Sequence, residues 1–75
     1  MTVDQATQRL LALIEQHGGY VGAAIIEADR QLARNQAVAS AAAHALATEP
    51  GVIAGEETDS RAWFPYSFLR RVEEA

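Results

Sequence analysis

At 75 residues the chain is sized for one small domain, near the lower end of what folds alone. Apolar residues make up 49% of it, which favours a single compact core over disorder, and the lack of cysteine excludes disulfides and thiolate zinc sites. The net charge is −4, with six arginines and no lysine against ten acids, a balance that opposes phosphate binding unless charge is segregated along the chain.

His17 and His44 lie far apart with no ligand spacing around them, so no metal is expected, and nothing suggests another cofactor. No apolar run approaches the roughly 18–20 residues that span a bilayer. The N-terminal MTVDQATQRLL has no basic region followed by an apolar one, so a cytoplasmic protein is expected, with no membrane partner.

Thr2 followed by Gln5 has the spacing of a capping box, and Asp4 adds a negative charge where the helix dipole favours it. Val3, Ala6, Leu10, Leu13 and Ile14 then recur at spacings of three and four, which predicts an amphipathic helix over 2–17. Gly18-Gly19 stops it, the first glycine suiting a left-handed position after the helix end.

Tyr20-Val21 is long enough only for a minimal strand that pairs with something later. A second helix is expected over 22–32. Its apolar stripe would be Val21, Ile25, Ala28 and Leu32, with Glu27, Asp29, Arg30 and Gln31 on its polar face. Arg34-Asn35 breaks the pattern, and Asn35 is a suitable cap for a third helix over 36–47. Seven of the eleven residues from Ala37 to Ala47 are alanine, and no acid occurs between Arg30 and Thr48. Val38, Ala41, Ala42, Ala45 and Leu46 are assigned to its buried stripe, leaving Ala39, Ala43 and Ala47 outward. Glu49-Pro50-Gly51 ends it.

The last third reads as a β-hairpin, with strands over 52–57 and 62–68 around the polar Thr58-Asp59-Ser60-Arg61. Phe64, Tyr66 and Phe68 alternate with Trp63, Pro65 and Ser67, the period of a half-buried strand. Pro65 has no amide donor and belongs at an edge, a bulge or where pairing has ended. Leu69 to Ala75 is expected to add a helical turn or to fray.

Helix, minimal strand, helix, tight turn, helix and hairpin is the element order of the winged helix-turn-helix superfamily. The segments LLALIEQHGGYV, AAIIEADRQLARNQAVASAAAHAL and GVIAGEETDSRAWFPYSFL carry the resemblance, over roughly residues 3–68. It implies a single α+β domain of three helices with a small antiparallel hairpin wing, in a DNA-binding transcriptional regulator. Its third helix would enter the major groove of double-stranded DNA. Carried onto this chain, the recognition surface would be Asn35, Gln36, Ala39, Ser40, Ala43 and His44. Of these Asn35, Gln36, Ser40 and His44 would face bases, while Arg30, Arg34 and Arg61 would contact phosphate. So few cations would call for a homodimer or a protein partner to reach useful affinity.

The alternative is a winged-helix module that binds protein and no DNA. The third helix has no arginine past its leading edge, and the wing carries Arg61 against Glu56, Glu57 and Asp59. Trp63, Phe64, Tyr66 and Phe68 are most simply the aromatic lid of the core; those beyond the two or three it can hold would present a partner surface, or an oligomer surface reaching to Val72. Catalysis is not expected: Glu56-Glu57 has no cleft around it, Gly18-Gly19 with Gly22 matches no phosphate-loop spacing, and Ser40 with His44 has no third group to orient the imidazole.

Overall fold

The computed structural model describes residues 1–56 and 63–72. Its elements in chain order are α1 (Val3–Gln16), β1 (Tyr20–Gly22), α2 (Ala23–Ala28), α3 (Arg30–Ala33), α4 (Gln36–Ala47), β2 (Val52–Ala54) and β3 (Phe68–Arg71). Among the described residues the architecture is α+β: four helices and a three-stranded antiparallel sheet of order β1-β3-β2. No helix among the described residues is long and apolar enough to cross a membrane.

The first helix forms as its ends dictate. The Thr2 side chain accepts from the Gln5 amide at 3.1 Å while Gln5 Oε1 accepts from the Thr2 amide at 2.9 Å, completing a reciprocal cap. At the other end the amides of Gly18 and Gly19 donate back to the carbonyls of Glu15 and Ile14. That closure requires Gly18 at φ +75°, where a side chain is strained. Ala6, Leu10, Leu13 and Ile14 face the core.

The helix expected over 22–32 is two helices. Asp29 adopts an extended conformation (φ −71°, ψ 120°) between α2 and α3 and caps α3. The break resets the helical phase, so Ile26 and Leu32 are buried while Ile25 is 41% exposed and Ala28 faces solvent. Asp29, expected on the polar face, is itself buried.

The hairpin also differs from expectation. The second strand is Phe68–Arg71 and not 62–68, and it is the central strand of the sheet. Val21 and Ala54 both pair with Leu69. Leu69 and Arg71, expected in a helical turn or frayed tail, are therefore held from both sides. Phe64 is 0% exposed at the centre of the core, with Trp63 and Tyr66 packed beside it. Ahead of Phe68 the aromatic alternation thus marks side chains packed into the core and not a pleat. Pro65 sits in this segment, ahead of the point where Ser67 donates to Glu56 and Gly55 donates to Phe68. Its missing amide therefore interrupts none of the pairing along Phe68–Arg71.

Candidate functional site

The solvent face of α4 is the surface that the element order singles out, and its phase is set by packing on α1. Ala39, Ala42, Ala43 and Leu46 are buried, a set spaced at three and four residues that seats α4 against α1, α3 and β2. Ala39 and Ala43, expected outward, are therefore core. Ala41 and Ala45, expected in the core, face solvent.

Two ridges remain outside. Gln36, Ser40 and His44 form one at spacings of four, with Gln36 and His44 exposed and Ser40 half-buried. Ala37, Ala41 and Ala45 form the other, all exposed. The face carries no acid and no arginine along α4.

Asn35 does not join the ridge. It occupies the position before α4 but makes no side-chain cap bond, and its Nδ2 donates instead to the Gln31 carbonyl at 2.8 Å. This turns one N–H of the amide back toward α3. His44 is also engaged: Nδ1 shares a hydrogen bond of 2.9 Å with the Tyr66 hydroxyl, and the two rings meet edge to face at 5.5 Å. The contact ties α4 to the segment leading into β3, leaving Nε2 to address a ligand.

Charge is distributed unevenly. Arg9 Nε and Nη2 donate to Asp29 Oδ2 at 2.8 and 2.5 Å. Asp29 Oδ1 accepts from the amides of Gln31 and Leu32 at 3.0 and 3.1 Å. Burial pushes the Asp29 carboxyl upward, but the Arg9 hydrogen bonds, the two amides and the Arg9 charge outweigh it and leave the group below its usual range. Arg71 pairs with Glu15. Arg30, the first residue of α3, and Arg34, which follows its last, are exposed and make no ion pair among the described residues. Arg61, expected as a third phosphate contact, lies outside the described residues, as do Glu57, Thr58, Asp59 and Ser60.

The four aromatics expected as a core lid, with any surplus as a partner surface, are divided. Phe64 is core, and it meets Trp63 and Tyr66 edge to face at 5.9 and 6.3 Å. Phe68 is half-buried on the outer face of the sheet, stacked on Tyr20 at 5.2 Å. Tyr20, 51% exposed, lies outside the aromatic alternation yet shares that face. Its signal in the sequence is its place next to Val21, since neighbours in a strand point to opposite faces.

No family model, curated protein or solved structure matches the chain.

Proposed function

We propose that this is a winged helix-turn-helix domain that binds double-stranded DNA, with α4 as the helix that enters the major groove. The observation that carries the reading is the charge and shape of one surface. An acid-free α4 presents the Gln36–Ser40–His44 ridge, and Arg30 and Arg34, at the two ends of the preceding helix α3, make no ion pair among the described residues. Gln36 offers the donor–acceptor pair that suits adenine, Ser40 bonds either way, and the exposed alanines fit against thymine methyls. The sheet order β1-β3-β2 supports the same fold, its hairpin being the wing.

The cation count sets the expected strength. Two or three phosphate contacts give a log–log salt slope of about −2 to −3, a loss of roughly 10- to 40-fold between 50 and 200 mM salt. A single domain would therefore bind weakly, and two domains on adjacent half-sites would bind usefully.

A second reading, a protein-binding winged helix, is favoured by the fold's own use of its cations. Arg9 and Arg71 are neutralised by Asp29 and Glu15, and the Ala37–Ala41–Ala45 ridge is smooth enough for another backbone to approach. Titration of isotope-labelled protein with a short random-sequence duplex separates the two. DNA binding predicts amide shifts at Arg30, Arg34 and Gln36 to His44 that shrink as salt is raised. No shift even at low salt would end the DNA reading, because the electrostatic contribution underlies nearly all non-specific binding.

A further inference from the structure

The outer face of the sheet carries a feature unrelated to α4. Alternation along the strands turns Val21, Val52, Ala54 and Leu69 inward. The opposite parity puts Tyr20, Ile53, Phe68 and Arg70 outside. Arg70 pairs across the sheet with Tyr20 on one side and Ile53 on the other. A central guanidinium is thus bracketed by two large apolar side chains, 51% and 38% exposed. Tyr20, Ile53 and Arg70 line an open groove of about 530 Å³ together with Arg71 and Val72.

We propose that this groove binds an extended acidic peptide segment, a carboxylate seated on Arg70 with apolar side chains against Tyr20 and Ile53. The charge argument is local. Arg71 is committed to Glu15, whereas Arg70 makes no ion pair among the described residues, so the groove offers one unneutralised cation in an acidic chain. Crossing three strands takes about 10 Å, and five extended residues present their first, third and fifth side chains to one face over about 13 Å, enough to reach all three strands.

A small molecule is a poorer fit, because ligand pockets enclose roughly 70–90% of their occupant and this groove is an open trough. A second copy is poorer too: a stable interface needs roughly 20–30 residues a side, and the described strands turn only a few side chains outward. Single-stranded nucleic acid could stack on Tyr20, but it brings a charge with every nucleotide to a groove with one available cation among the described residues, whereas the peptide needs one carboxylate there. The site points away from the α4 face, since both elements bury their other sides in the same core, and the proposal does not depend on DNA binding.

The experiment is an amide-shift titration of the whole chain with a blocked extended peptide about five residues long, leucine, glutamate and leucine at alternate positions with serine between, so that all three side chains face the sheet. The expected result is saturable shifts at Tyr20, Ile53 and Arg70. A matched lysine–leucine peptide should give none, and Arg70→Glu should weaken binding at least about tenfold. Arg70 is exposed, so the variant should keep its dispersed spectrum; if it does not, Arg70→Gln carries the same expectation. Four outcomes would overturn the proposal. They are no saturable shift at millimolar peptide, undiminished binding by the folded variant, tighter binding of oligothymidylate at the same amides, and shifts that follow protein concentration alone.

Discussion

Asp29 and Arg9, twenty positions apart, form the polar anchor of the helical layer: one carboxylate oxygen holds the guanidinium of α1 and the other holds two amides of α3. The Asp29 side chain is 5% exposed and that of Arg9 35%, so the pair is screened on one side only. Asp29→Ala removes the cap of α3 and leaves Arg9 without its partner. The expected cost is about 2–4 kcal/mol, with partial screening already allowed for. A chain of this length holds roughly 4–11 kcal/mol in total, so the variant should give up a large share of its stability. Asp29→Asn keeps a good capping residue and should lose about 1 kcal/mol less. Urea melts of the two variants beside the parent would separate cap from charge, and equal losses would refute the division.

The same carboxylate gives the fold an acid limit. Its pKa is held below the usual value in the folded state, so the unfolded chain binds the proton more readily. Stability from this group is fully present above the unfolded pKa near 3.8, and it is lost as pH falls through the lower, folded value. The melting temperature should fall on acidification below about pH 4, and the slope should be shallower in Asp29→Asn. An unchanged slope in the variant would assign acid sensitivity to other carboxylates.

What the sequence made legible were the punctuation marks. Thr2 with Gln5, Gly18-Gly19 and Pro50-Gly51 each have one dominant local conformation, and the elements begin and end there as expected. Less legible was anything that side chains of distant elements decide. The phase of α4 could not be read because alanine occupies both the buried Ala39 and Ala43 and the exposed Ala41 and Ala45. Hydrophobicity then gives no preference, and contact with α1 settles the rotation. Asp29 has the polarity of a surface residue, and only Arg9, far away in sequence, explains its burial. The central strand Phe68–Arg71 carries two arginines and little apolar alternation. It is a strand because β1 and β2 both need a partner.

Gly55 is required by a close approach. A Cβ there would collide with the Ser67 hydroxyl and lie 2.5 Å from Cδ1 of Phe68. The Phe68 ring is held on its other side by the stack with Tyr20, so it cannot swing aside freely. Gly55→Ala should cost about 1–3 kcal/mol, in the range of other overpacking changes. A Cβ added at Gly51 or Gly22 would meet nothing within 4 Å, and Gly51→Ala should cost much less. Equal denaturation midpoints for Gly55→Ala and Gly51→Ala would contradict the steric account.

The rotation of α4 makes a sharper prediction, because it separates folding from binding within one helix. Ala43 is fully buried and Ala41 is exposed. Ala43→Glu forces a carboxylate into the core beside α1 and should unfold the domain, since an unpaired buried charge costs several kcal/mol. Ala41→Glu places the same side chain in solvent and should change stability by no more than about 0.5 kcal/mol. It also puts an acid into the acid-free window, where a major-groove helix would bring it against the phosphates. If α4 reads DNA, Ala41→Glu should keep the parent's melting temperature and lose duplex affinity by about tenfold or more. Thermal denaturation and the duplex titration, run on the same two variants, check both halves. A folded Ala43→Glu would overturn the packing of α4, and unchanged duplex affinity in Ala41→Glu would remove this face from the DNA interface.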